Sequence, residues 1–131
     1  MIRPLRYPRF WLASGGVAMV LVLVFALVPM SGVPGLDVLS DKTLHFFVFM
    51  LLMIWFSGVF RLRMSPLVAL GLAGFGVLIE VLQAQLPYRS AELADALFDF
   101  GGIATGWLFA IAGLGGWIRW VEARVAAGTR R

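Results

Sequence analysis

Apolar residues dominate this chain in four long stretches, separated by short joints that are polar or rich in Pro and Gly. The first stretch, residues 10–28, carries no charge. The second, 44–60, reaches spanning length only if Asp41 to Thr43 form its polar outer turn. The third, 66–86, opens on Pro66, a residue tolerated in the first helical turn, where its missing N–H is not needed. The fourth, 93–118, has one or two polar turns at its start. At about 1.5 Å of rise per residue, each has roughly the length needed to cross about 30 Å of hydrocarbon. The joints are short: Pro29 to Gly35, then Arg61-Leu62-Arg63, then residues 87–92. No internal repeat is visible. The pattern predicts an all-α, four-transmembrane-helix bundle forming a single domain over residues 1–131.

Composition agrees with lipid as the main solvent. The chain is 61% hydrophobic and 14% charged, more apolar surface than a soluble domain of 131 residues could bury. With no Cys, disulfides and thiolate metal sites are excluded. The net charge of +4 does not point to nucleic acid, because the basic residues flank apolar runs and form no readable basic face.

Charge does set an expected orientation. In a four-span reading, Arg3, Arg6, Arg9, Arg61, Arg63, Arg119, Arg124, Arg130 and Arg131 lie on one side, and only Lys42 and Arg89 on the other. The positive-inside rule then puts both termini in the cytoplasm of a multi-pass inner-membrane protein. The first span is read as retained, since its apolar stretch is long and Val28-Pro29-Met30-Ser31 is a poor cleavage site for a signal peptide. Trp11, Trp117 and Trp120 suit anchoring at the cytoplasmic boundary, whereas Trp107 falls mid-span and reads as packing.

The acidic residues take the opposite side: Asp37, Asp41, Glu80, Glu92, Asp95 and Asp99, with Glu122 the exception. Acids contribute little to membrane orientation, so this asymmetry needs another cause, and it reads as a site. Three clusters carry it: Asp41-Lys42-x-x-His45, Glu80-x-x-Gln83 with Arg89 after it, and Asp95-x-x-x-Asp99. Asp41 and His45 share a helical face, and a carboxylate on one imidazole nitrogen raises the basicity of the other. Asp41 serves equally well as an N-terminal cap. Glu80 is the hardest to explain as structure. An isolated charge deep in a span costs about 2.5–3.5 kcal/mol, whereas an interhelical polar contact returns only about 0.6 kcal/mol. It is expected to face the bundle, be protonated, or pair with a cation such as His45, Lys42 or Arg89.

Asp95 and Asp99 share a face that continues as Gly102 and Gly106, a small-residue step that permits close helix approach. Gly76 lies one turn from Glu80 on its own face. These glycines are expected to bring the third and fourth helices together, so that Glu80, Gln83, Asp95 and Asp99 converge with Arg89 above them. One imidazole with two or three carboxylates (His45, Glu80, Asp95, Asp99) also suits a divalent cation.

The string Asp41-Lys42-Thr43-Leu44-His45-Phe46 at the second span, then Glu80-x-x-Gln83, Pro87-x-Arg89, Asp95 and Gly102-x-x-x-Gly106, resembles the VanZ-like family. These are small bacterial multi-span proteins of the teicoplanin-resistance type. The resemblance covers residues 41–106 and marks Asp41, Lys42, His45, Glu80, Gln83, Arg89, Asp95, Gly102 and Gly106 as signature positions. Two positions depart from the pattern: Phe49 stands where Tyr is common, and Asp99 where Asn is common. The extra carboxylate beside Asp95 favours a cation or Arg89 between them.

The resemblance implies a bilayer-embedded protein associated with glycopeptide susceptibility. Three functions then compete. The first is an accessory protein whose outward polar site binds a cell-envelope ligand, such as a lipid-linked saccharide or a glycopeptide. The second is a hydrolase or transferase on a lipid headgroup, with His45 as base or nucleophile, Glu80 as acid/base, and Lys42 and Arg89 as phosphate clamps. The third is a proton-coupled carrier working as a homo-oligomer.

Overall fold

The structure is a computed structural model that describes residues 1–29, 41–88 and 92–128, together with the backbone but not the side chain of Asp41. Five α-helices follow in order: α1 (Pro8–Leu27), α2 (Asp41–Val59), α3 (Ser65–Gln83), α4 (Leu93–Ile111) and α5 (Trp117–Gly128). The first four are long and apolar enough to cross a membrane. The described residues contain no strand, only an isolated bridge between Ile2 and Phe60.

Two helix ends differ from the pattern-based boundaries. α4 stops at Ile111 instead of running to 118, because Gly113 takes φ 129°, a conformation open to glycine and closed to most side chains. A 3-10 turn over Leu114–Gly116 then redirects the chain into the short α5. α3 ends at Gln83, so Glu80 lies in its last turn, about 4.5 Å from the helix end. The carboxylate is therefore shallower than a helix reaching Leu86 would make it.

The spans alternate in direction. Gln83 at the end of α3 reaches Ala26 at the end of α1, while His45 near the start of α2 meets Asp99 of α4. The core between them is Phe49, Leu52, Met53, Leu72, Ile79 and Ile103. α2 and α4 make the closest pair. A Cβ at Gly102 would fall on the Phe46 carbonyl, and one at Gly106 on the Met50 carbonyl. The expected partner of this glycine step was α3, and that is corrected: Gly102 and Gly106 seat α4 on α2. Gly76 alone serves α3–α4, where a Cβ would strike the Asp99 carboxylate. The reason lies in helical periodicity. Asp99, Gly102 and Gly106 form a nearly straight row, and a smooth row approaches whichever neighbour offers backbone, here the stretch around Phe46 and Met50.

α1 is peripheral. Of its residues only Gly15 is buried, against Trp55 and Phe56 of α2, while Val17, Val20, Leu21, Val24 and Phe25 are exposed. Such an apolar outer surface fits hydrocarbon and not water.

Candidate functional site

One end of the bundle collects the starts of α2 and α4 and the ends of α1 and α3. Two helix N-termini there present positive dipole ends, a favourable setting for acidic groups, and Asp95 sits in the first turn of α4. Glu80 is in the opposite position, at the C-terminal end of its helix, where no basic residue offsets it. Its placement is not explained by its own helix.

The side chains meet closely. Ligand atoms of His45, Glu80 and Asp95 all lie within 4.8 Å of one another, on three different helices. His45 and Asp95 are buried, at 8% and 3% exposure, and Glu80 is half-buried. Behind this group lies Asp99, fully buried, with Oδ1 at 2.8 Å from His45 Nδ1. An ionised carboxylate only accepts; with Asp99 in that form the ring proton is on Nδ1 and Nε2 is the basic nitrogen. The imidazole also stacks nearly parallel to Phe49 with centroids 6.5 Å apart. Phe49 is itself buried and packs on Phe75, so the phenyl ring supports the imidazole by shape and not through a hydroxyl.

Lys42 forms the rim. Its Nζ donates to Glu92 Oε2 at 2.7 Å and lies 3.9 Å from Asp95 Oδ1. Glu80 Oε2 accepts from the backbone N–H of Glu92, the N-cap residue just before α4, at 3.2 Å. Glu80 thus ties α3 to the start of α4 with one oxygen. Its other oxygen, Oε1, is buried with no hydrogen-bond partner among the described residues.

The structure divides the sequence candidates by role. His45, Glu80, Asp95 and Asp99 come together, and Lys42 closes over them. Gln83 turns away: its Nε2 donates 3.0 Å to the Ala26 carbonyl, satisfying an acceptor in the last turn of α1, much as Tyr88 does for Leu27. Arg89 and the Asp41 side chain lie outside the described residues. Asp99, 54 positions away in sequence, partners the imidazole Nδ1; the Asp41 side chain that intrahelical spacing offered to His45 is outside the described residues. Glu92 was not singled out from sequence as a site residue. Its signal was an acidic residue at a helix start, three before Asp95.

The opposite end is also polar, but every described contact there secures the fold. Arg3 Nε donates to the carbonyls of Ser57 and Phe60 at 3.1 and 2.8 Å, occupying acceptors at the end of α2. Glu122 of α5 accepts from Arg6 N, Tyr7 N and the Trp11 indole at 2.7, 3.0 and 2.9 Å. It caps the start of α1, where Tyr7 supplies no side-chain cap of its own. Burial pushes the Glu122 carboxyl up, but these three donors outweigh it and hold it below the ordinary glutamate value. Trp11, Trp55 and Trp117 pack together beneath, with centroids 5.2–5.6 Å apart.

Comparison with known families adds one finding. The family model described as VanZ/LLP1 matches residues 5–114, which include all four long helices and every residue of the polar group. Comparisons with curated proteins and with solved structures give no match.

Proposed function

The chain belongs to the VanZ/LLP1 family, and from that premise we propose that it is an integral membrane protein of the bacterial inner membrane whose polar end faces outward and binds a cell-envelope ligand. The ligand class is a lipid-linked saccharide or a glycopeptide, and its capture would modulate susceptibility to glycopeptides such as teicoplanin. The observation that carries this reading is the meeting of His45, Glu80 and Asp95 within 4.8 Å at one end of an otherwise apolar bundle, with Lys42 at the rim. Three helices contribute a polar side chain each to one point. Interhelical polar contacts stabilise by only about 0.6 kcal/mol on average, too little to account for buried carboxylates. The count of nine basic residues against two supports the outward orientation. Lys42 at the rim, and Arg89, nine positions after Glu80 in sequence, supply the cations that phosphate or carboxylate groups of such ligands require.

A binding test uses the full chain in lipid nanodiscs, titrated with teicoplanin and separately with a polyprenyl-diphosphate-linked saccharide. Saturable binding that weakens in graded fashion in Lys42→Ala, Glu80→Gln and Asp95→Asn is the expected result. Binding of both probes unchanged in all three variants would sink the reading.

One observation favours a second function, a membrane-embedded hydrolase or transferase acting on a lipid headgroup. The Asp99–His45 contact gives an imidazole with a fixed tautomer, the arrangement a general base needs. This reading requires product formation that His45→Gln abolishes while ligand binding persists; no product from either probe removes it.

A further inference from the structure

We propose that His45, Glu80 and Asp95 form a binding site for one divalent first-row transition ion, with Asp99 as the residue that orients the histidine ligand. The inference goes beyond the envelope-ligand reading and stands independently of it.

The donor set is suited to such an ion. One imidazole and two carboxylates, with no sulfur, match Zn²⁺ or Mn²⁺ better than the all-oxygen shells of Mg²⁺ and Ca²⁺. Donors around a tetrahedral ion at about 2.1 Å lie about 3.4 Å apart. The three ligand atoms lie within 4.8 Å of one another, so modest side-chain rotations bring them onto one ion. Three protein ligands leave a fourth position open to water or a substrate group.

Two further features, one on a ligand and one behind the site, point to a cation. Glu80 Oε1 is buried and has no hydrogen-bond partner among the described residues, an arrangement that costs free energy unless a positive charge or proton meets it. Behind the site, the fully buried Asp99 holds His45 Nδ1 at 2.8 Å. A metal-bound histidine almost always donates its other ring N–H to such a carboxylate or a carbonyl, which sets the tautomer and strengthens the ligand. Charge agrees with this. Among the described residues, the carboxylates of Glu80, Glu92, Asp95 and Asp99 face the cationic or potentially cationic groups of Lys42 and His45. Lys42 is already in contact with Glu92 at 2.7 Å. A divalent ion supplies positive charge at the two inner carboxylate oxygens and the imidazole nitrogen.

The test titrates the full chain, purified with chelator and exchanged into metal-free detergent, with Zn²⁺ by calorimetry and with Mn²⁺ by electron paramagnetic resonance. The expected result is one ion per chain, bound at least about 100-fold more tightly than Mg²⁺. Glu80→Gln and Asp95→Asn, near-isosteric changes, are expected to abolish or severely weaken it. Asp99→Asn should weaken binding by about 10- to 100-fold without changing the stoichiometry, as changes to an orienting carboxylate do. Circular dichroism and gel filtration establish that each variant is folded. If His45→Ala proves unstable, Glu80→Gln and Asp95→Asn decide the matter. The proposal is overturned by the absence of stoichiometric binding to the unaltered chain, or by affinities unchanged in those two variants. Envelope-ligand binding that survives chelation, beside absent metal binding, would remove this site and leave the functional reading intact. Metal binding without any envelope ligand would do the reverse.

Discussion

The bundle carries polar groups at both ends, yet uses them differently. At the arginine-rich end, Arg3 and Glu122 each meet backbone groups that a helix terminus leaves open, and the result is closure. The N-terminal segment seals the end of α2, and α5 seals the start of α1. At the carboxylate end only part of the polar inventory is used this way. Gln83 and Tyr88 close α1, and Glu80 Oε2 steadies the start of α4, but His45, Asp95, Asp99 and Glu80 Oε1 turn toward one another inside the bundle. A group that caps a helix is accounted for by that helix. Buried ionisable groups that converge from separate helices ask for a ligand, a proton or an ion.

Substitutions can break this contrast. The largest effect is expected at the carboxylate end. His45→Ala leaves the Asp99 carboxylate fully buried without its imidazole, and removing one partner of a buried pair destabilises by about 3–5 kcal/mol. Reversible unfolding in detergent measures this. A loss under about 1 kcal/mol would mean that Asp99 is satisfied by other means and that the two ends are alike.

A smaller effect is expected from Glu122→Gln, about 1 kcal/mol, since the cap is half-exposed and an amide oxygen still accepts one of the donors. Its signature is pH dependence. Because the folded-state value of Glu122 is held below that of the unfolded chain, its contribution is present above the unfolded value and is lost as pH falls through the folded one. Thermal unfolding of the parent chain should therefore lose more stability than Glu122→Gln on acidification below the ordinary glutamate range. Parallel acid profiles would remove the capping role.

The smallest effect belongs between the ends. A Cβ at Gly74 meets nothing within 4 Å, so Gly74→Ala should be neutral or stabilise by up to about 1 kcal/mol through helix propensity. A marked loss there, read in the same unfolding assay, would show that α3 tolerates no change anywhere and would weaken any local reading of the other variants.

The run lengths made the four spans legible, and the placing of Arg and acid made the two ends legible. The three polar clusters were visible because polarity stands out in an apolar chain. Their pairing was not. A helix face lists compatible neighbours only within its own helix, and Asp99, which sits beside the imidazole, belongs to α4. Gly102 and Gly106 announced a close helix contact and could not say with which helix; the backbone around Phe46 and Met50 decided it. The end of α4 at Ile111 was hidden because Ala112 to Ile118 is as apolar as the span before it, and only the positive φ of Gly113 interrupts it.

Sequence by itself determined that this chain is a four-span helical bundle with its imidazole and all its acidic groups but Glu122 toward one end. Hydrophobic run length and charge position are one-dimensional properties, and the bilayer reads them one helix at a time. Tertiary structure decided that Asp99 orients His45, that Glu80 and Asp95 share one point with that imidazole, and that Gln83 is a cap. These are distances between helices, set by close packing of α4 on α2 and α3, and no spacing along a single helix contains them.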